Sequence, residues 1–382
     1  MIRYLLPLLI LLSVASCKRT FRGVVDRVED IVVPRTPRET FARNRFEGRA
    51  AEDLCASWEA AYRSALDDSL SVSLPYREVV RYAPDASLTA LSYRLLLPPG
   101  RRLTVQVDGG PAPVFGELFT VPDTGRIDPD DAILRWDMRE TGLYYETELP
   151  QGEELLLLLQ SGPADGGTYT VELRTDPILT FPVAGHDQGD VQSFWGDARS
   201  GGRRHEGNDI FAPRGTPLVA VADGRVSSVR DGGLGGKTIW LLDAEGRNLS
   251  YYYAHLDRQL VRDGQNVSRG DTIGLVGNTG NARTTPAHLH FGIYRNGARD
   301  PWPYLLRPDA APAPAVYPIT SAAVPDAVPA RGRHYLRVRP ESRREVVIRQ
   351  LENTEPVTVL GATGRFYRIR TGRGETGYVN FD

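Results

Sequence analysis

The sequence is poor in cysteine and lysine, and it has no apolar run long enough to cross a membrane as a helix. Only two of the 382 residues are cysteine, which excludes a scaffold held together by many disulfides. Only two of the 46 basic residues are lysine, which we interpret as coding bias. The 46 basic and 48 acidic residues nearly balance, so no global positive field favours nucleic acid as a partner.

What is present indicates an ordinary globular protein with more than one domain. Hydrophobic residues make up 41% of the chain and charged residues 25%, which supplies enough apolar material for several cores. At about 150 residues per domain, a chain of this length predicts two or three domains.

The N-terminus carries an export signal. Residues 1–16 combine one arginine with an apolar run that is too short to span a bilayer, as in a signal peptide. The run ends in VASC at 14–17, which resembles the lipobox of bacterial lipoproteins. The resemblance implies cleavage before Cys17 and a lipid on Cys17 that anchors an exported protein to a membrane facing the periplasm. A plain secretory signal with an incidental cysteine is the alternative. After lipidation Cys55 is the only thiol, so we expect no intrachain disulfide in the mature protein.

Shifts in composition and periodicity divide the rest of the chain. Apolar residues recur at steps of four just after residue 50, and strand-like alternation follows from about residue 71. The fold class is therefore mainly β. The predicted pieces are a tether at 17–49, an amphipathic helix at 50–69, a β-sandwich-like domain at 70–178, a glycine-rich β domain at 179–306, a Pro/Ala-rich linker at 307–330 and a small barrel at 331–382.

Histidines concentrate in the glycine-rich β domain, which holds five of the six in the chain. His288 and His290 are two apart on a predicted strand and so share one face. His205 and Asp209 flank Gly207, which we expect to let the chain bend so that both side chains reach one point. Two histidines, a carboxylate and water make the usual shell of a catalytic zinc ion, whereas a structural site is commonly closed by cysteines, and this domain has none. We therefore predict a metal site here, and ordinary structural roles for His186 and His334.

Longer motifs connect these histidines to a known family. They are HEGND at 205–209, GTPLVAVADGRV at 215–226, YAHL at 253–256, GQNVSRGDTIGLVGNTG at 264–280 and HLHF at 288–291. In order and spacing they resemble the lysostaphin-type zinc endopeptidases, which cleave peptide bonds of bacterial peptidoglycan. The resemblance implies one Zn²⁺ per chain held by His205, Asp209 and His290, with His255 and His288 catalytic. Two departures are a longer stretch at 281–287 and Gly292, where an acidic residue is frequent.

Two further regions are assigned to substrate binding. Tyr251, Tyr253 and Asn278 are candidates for the substrate groove, although a packed strand explains the tyrosines equally well. The barrel at 331–382 resembles bacterial SH3-like domains through YLRVRPES at 335–342 and TGYV at 376–379. Its 11 basic and six acidic residues suit anionic stem peptides, and a solubilising cap on the peptidase is the alternative.

Together these features predict a lipid-anchored zinc endopeptidase that hydrolyses peptide cross-links of peptidoglycan. Its partners would be the stem peptides, a membrane through the lipid on Cys17, and an envelope regulatory protein. One alternative is a non-catalytic envelope regulator that activates a cell-wall amidase, but such regulators typically lack ligand residues. Another is an envelope binding module, which needs no zinc shell.

Overall fold

The computed structural model describes residues 36–46, 52–82, 90–137, 143–147, 152–163, 167–307 and 325–382. The predicted signal peptide, Cys17 and most of the predicted linker (residues 308–324) lie outside them. The described residues are mainly strands, which confirms the predicted fold class. Within these ranges, no helix is both long and apolar enough to cross a membrane.

Two helices precede the first strand, α1 (Pro37–Arg45) and α2 (Glu52–Leu66). Helix α1 falls inside the predicted tether, so that part of the prediction is wrong. The Thr36 side chain accepts a hydrogen bond from the Glu39 backbone, and the Glu39 carboxylate accepts one from the Thr36 backbone. This capping box starts a helix even in a charged segment. Arg38 then anchors α1, because its guanidinium is buried and lies 3.0 Å from Glu59 of α2.

Helix α2 packs as its apolar spacing predicted. Trp58, Tyr62 and Leu66 lie on one buried face. Cys55 is also buried, and it forms a disulfide whose partner lies outside the described residues. The expectation of no intrachain disulfide is therefore wrong in this structure.

Two sheets pack face to face after α2. Their strands are β1 (Tyr76–Tyr82), β2 (Ala90–Leu97), β3 (Arg101–Gly109), β4 (Val114–Thr120), β5 (Leu134–Asp137), β6 (Leu143–Glu146), β7 (Glu153–Ser161) and β8 (Gly167–Pro177). One sheet contains β2, β7, β4 and β5, and the other includes β1, β8, β3 and β6.

Strand β7 carries five consecutive leucines, residues 155–159, and all five are fully buried. Leu155, Leu157 and Leu159 point into the core between the two sheets, and Leu156 and Leu158 pack against α2. A strand covered on both faces loses the usual alternation of apolar and polar residues. The apolar run is therefore a doubly covered strand.

The next domain contains β9 (Val191–Ser193), β10 (Asn208–Phe211), β11 (Pro217–Val219), β12 (Gly224–Asp231), β13 (Lys237–Asp243), β14 (Ser250–Ala254), β15 (Arg258–Gln259), β16 (Asn266–Val267), β17 (Thr272–Leu275), β18 (His288–Tyr294), β19 (Ala298–Arg299) and the short helix α3 (Trp302–Leu305). It is built on an eight-stranded sheet in the order β16-β12-β13-β14-β18-β10-β9, with β19 paired to β18, beside a three-stranded sheet in the order β11-β17-β15.

The C-terminal strands are β20 (Tyr335–Arg337), β21 (Val347–Gln350), β22 (Val357–Thr363), β23 (Phe366–Thr371) and β24 (Thr376–Val379). Val328, at the end of the predicted linker, is buried in their core. These strands continue the sheet of the N-terminal domain, because β1 pairs with β8 on one side and with β22 on the other. The sequence did not predict this shared sheet.

A buried ion pair lies where the two parts of the shared sheet meet. Arg368 of β23 and Glu78 of β1 are both fully buried, with Nη1 3.6 Å from Oε2. Arg368 also donates through Nη2 to the Ser92 carbonyl at 2.9 Å. Burying either charge without its partner would be strongly unfavourable, so the pair ties the N-terminal and C-terminal strands to each other.

Candidate active site

Three polar side chains converge where β10 pairs with β18. Asp209 lies directly opposite His290 in the ladder, and His205 precedes β10. His205 Nε2 is 3.0 Å from Asp209 Oδ1 and 2.9 Å from His290 Nδ1, and the last two atoms are 3.0 Å apart. The structure thus brings together the three residues that the sequence analysis expected to hold zinc.

Neighbouring groups orient two of these side chains. His205 Nδ1 donates to the Phe194 carbonyl at 2.8 Å, which leaves the Nε2 lone pair facing the cluster. Arg199 Nη2 donates to Asp209 Oδ2 at 2.7 Å, which leaves Oδ1 facing the histidines. Sequence reasoning missed Arg199, because it belongs to none of the quoted motifs.

This donor set fits zinc. The Nε2 lone pair and the carboxylate oxygen are both acceptors, and bringing them within 3.0 Å of each other is favourable only when a cation or proton lies between them. Burial raises the pKa of Asp209, but the adjacent His205 and His290 imidazoles outweigh burial and hold it well below its usual range. The carboxylate is therefore ionised at neutral pH. Two imidazoles and one carboxylate make a common zinc shell that keeps a position open for water or substrate.

Gly207 makes this convergence possible by close packing. A Cβ at residue 207 would lie 2.5 Å from the Phe291 carbonyl oxygen and 2.7 Å from the ring of His290. The sequence analysis expected the glycine to provide a bend. Its role is instead to let β18 and the His290 ring approach the backbone.

His255 and His288 lie beside the cluster. Their ring centroids are 5.1 Å apart, and His255 is 5.9 Å from His290. His255 Nδ1 donates to the Thr279 carbonyl at 3.0 Å, and His288 Nδ1 donates to the Pro286 carbonyl at 2.9 Å. Each ring thus keeps Nε2 free to accept a proton.

His255 occupies an unusual backbone position at the end of β14. Its φ of 65° lies in the left-handed region, which takes the side chain out of the alternation of the strand. Burial, and then the neighbouring imidazoles of His288 and His290, lower the pKa of His255 to about 4. The ring is therefore neutral at pH 7 and able to act as a base.

The groove prediction for Tyr251 and Tyr253 is wrong, because both side chains are fully buried. The Tyr253 hydroxyl donates to the Val219 carbonyl at 3.1 Å inside the core. Ala254 pairs with His290, so residue 252 shares the face of the metal cluster. Tyr252 is half-buried there, with its ring centroid 5.9 Å from that of His290.

The remaining candidates lie near this face or away from it. Asn278 is half-buried next to Thr279, whose carbonyl holds His255, and its part in the groove stays a prediction. His186 pairs with Asp190 at 3.0 Å. His334 is buried in the C-terminal barrel. Among the described residues, His205, Asp209 and His290 form the only group of three metal-binding side chains.

Comparison with known proteins matches two parts of the chain to families. Residues 203–301 match peptidase family M23, and residues 334–380 match the bacterial SH3 domain. The chain carries an M23 peptidase domain and a bacterial SH3 domain. The M23 domain contains all five candidate site residues, and the SH3 domain contains strands β20–β24.

Curated relatives share the M23 region. The L-Ala–D-Glu endopeptidase of Bacillus subtilis is 38% identical over 139 residues, which cover 33% of this chain and 42% of the relative. The peptidoglycan DD-endopeptidase ShyA of Vibrio cholerae is 40% identical over 160 residues, which cover 42% of this chain and 32% of the relative. The match thus spans less than half the length of either relative.

Among solved structures, the catalytic domain of lysostaphin from Staphylococcus simulans is 33% identical, with a TM-score of 0.28. The match covers 30% of this chain and 90% of the lysostaphin domain.

Proposed function

We propose that this protein is an exported zinc endopeptidase that hydrolyses peptide cross-links of bacterial peptidoglycan. The observation that carries the proposal is the convergence of His205, Asp209 and His290 beside the imidazoles of His255 and His288. A relative of the M23 domain that is named a peptidoglycan DD-endopeptidase supports the choice of substrate.

Zinc would be held by His205 Nε2, Asp209 Oδ1 and His290 Nδ1. Bound there, it would polarise the scissile carbonyl and lower the pKa of a water molecule towards about 7. Arg199 keeps the Asp209 carboxylate turned towards the site, and the Phe194 carbonyl keeps His205 in the required tautomer.

His255 and His288 would move the protons of the reaction. Each presents a free Nε2, so either ring can take a proton from the attacking water and deliver it to the leaving amine. The ring that holds a proton can donate to the oxygen that gains negative charge in the transition state. The low pKa of His255 keeps its Nε2 unprotonated at neutral pH.

Digestion of purified peptidoglycan by the full chain, followed by mass spectrometry of the fragments, tests this proposal. We expect cleavage with one zinc per chain, loss of zinc and activity in His290→Ala, and loss of activity with zinc retained in His255→Ala. His186→Ala is the matched control: His186 lies outside the site, so this substitution should leave zinc content and activity unchanged. Zinc binding without cleavage of any wall would overturn the enzyme proposal in favour of the amidase regulator.

We also propose that a lipid on Cys17 anchors the protein to a membrane facing the periplasm. Because the chain has only two cysteines, a lipid on the sulfur of Cys17 and the disulfide of Cys55 exclude each other. Intact mass and thiol titration of protein purified from membranes test the anchor. We expect a diacylglycerol-modified N-terminal cysteine and no disulfide-linked peptide containing Cys55. A disulfide-linked peptide containing Cys55, without lipid, would overturn it.

A further inference from the structure

Three aromatic side chains cover the outward face of the M23 sheet next to the metal cluster. They are Trp240 of β13, Tyr252 of β14 and Tyr294 of β18, and we call them the aromatic floor. Trp240 is 4.5 Å from Tyr252 and 4.9 Å from Tyr294 between ring centroids. All three are only half-buried, whereas their neighbours Tyr251 and Ile293 are fully buried.

The aromatic floor begins at a metal ligand. Tyr252 meets the His290 ring edge-on, and Trp240 is paired with Tyr252 across the β13–β14 ladder. The rings therefore extend sideways from the cluster over neighbouring strands. A peptide bound with its scissile bond at the cluster would place a residue next to that bond on these rings.

Gly292 explains why the floor exists in this chain. A Cβ at residue 292 would lie 2.8 Å from Cε2 of Tyr294, so the Tyr294 ring occupies the space that a side chain there would take. The glycine at position 292, where the sequence analysis noted that an acidic residue is frequent, therefore leaves the space that Tyr294 of the aromatic floor occupies.

A carboxylate borders the floor. Glu206 is exposed, its backbone carbonyl oxygen would lie 3.2 Å from a Cβ at residue 292, and its carboxylate lies close enough to Tyr294 to affect that hydroxyl. Burial and then the charge of Glu206 raise the pKa of Tyr294 to about 12. Among the ion pairs of the described residues, none involves Glu206, so its negative charge is available to a ligand.

We propose that Trp240, Tyr252, Tyr294 and Glu206 form a subsite for a substrate residue with an aliphatic side chain ending in an ammonium group. The inference rests on the proposed function and names the substrate chemistry at that site. The aliphatic stem would pack on the rings. The ammonium group would lie over a ring face and donate to Glu206.

Ring orientation favours a cation over a sugar. The ring pairs are inclined to each other at 37°, 55° and 87°, so they do not form the flat platform on which a sugar ring stacks. The quadrupoles of inclined rings present negative faces to a compact cation. An acidic side chain would be repelled by Glu206.

Two synthetic cross-linked stem peptides test the subsite. They differ only in whether the side-chain amine next to the scissile bond is free or acetylated. With the full chain we expect kcat/KM to be about five- to tenfold higher for the free amine, mainly through KM. Glu206→Gln and Trp240→Leu should bring the ratio towards one with zinc content unchanged. Glu345→Gln, an exposed glutamate in the SH3 domain, is the matched control and should keep the wild-type ratio.

Binding to His255→Ala, measured by calorimetry, separates this inference from the proposed function. Tighter binding of the free amine by His255→Ala, with no cleavage of either peptide by the wild-type chain, would keep the subsite and overturn the enzyme. Cleavage of both peptides at equal rates, unaltered in Glu206→Gln, would overturn the subsite and keep the enzyme. A preference for a sugar-bearing peptide that is lost in Trp240→Leu but insensitive to acetylation would also overturn the subsite.

Discussion

Replacing Gly207 by alanine adds one methyl group at the most crowded point of the metal cluster. The new Cβ would lie 2.5 Å from the Phe291 carbonyl oxygen and 2.7 Å from two atoms of the His290 ring. Contacts this short cannot persist, and one of the two neighbours is the backbone of β18. The ring of His290 must therefore move, together with its Nδ1.

We expect Gly207→Ala to cost about 1–3 kcal/mol of folding free energy, as overpacking typically does. Zinc affinity should fall about 10- to 100-fold, the effect expected when a ligand is displaced by its surroundings. Competition with a chelator measures the affinity, and urea denaturation of the zinc-free protein measures the folding free energy. Gly372→Ala is the control, since a Cβ there meets only ordinary contacts at 3.7–3.9 Å. Wild-type zinc affinity in Gly207→Ala would refute the assignment of His290 as a ligand in this geometry.

Three other perturbations test separate parts of the molecule. Arg199→Leu removes the donor to Asp209 Oδ2 and should lower zinc affinity about 10- to 100-fold in the same chelator assay, and an unchanged value would contradict the positioning role. Arg368→Met leaves Glu78 buried without its partner and should lower the free energy of unfolding, measured by urea denaturation, by about 3–5 kcal/mol. The double variant with Glu78→Gln should recover much of that loss. An equal loss in the single and double variants would show that the buried charge is not the cause. The low pKa of His255 means that, between pH 6.5 and 4, the unfolded chain takes up a proton that the folded chain does not. Zinc-free protein should therefore lose stability as the pH falls through that interval, and His255→Asn, which tolerates the positive φ, should lose less; parallel pH profiles would contradict this.

The sequence was sufficient for the residues that lie within motifs. The two-residue spacing of His288 and His290 set them on one face of a strand, and both residues lie on β18. The tyrosines were misassigned because three consecutive tyrosines give no alternation from which to choose a face. Only the pairing of Ala254 with His290 decides that Tyr252 faces the cluster.

Features that depend on distant pairing had no local signal. Arg199 reaches Asp209 through a loop whose path the sequence does not specify. The pairing of β1 with β22 joins Val80 to Gly361 across more than half of the chain. Alternation predicts a strand, but it does not say which edge of a sheet that strand completes.

The shared sheet makes the M23 domain an insertion within a single β structure. The chain leaves that structure after β8, forms the peptidase, and returns to it with β20–β24, of which β22 pairs with β1. A cut within residues 308–324 would consequently leave both fragments associated, held by the β1–β22 ladder and the Glu78–Arg368 pair.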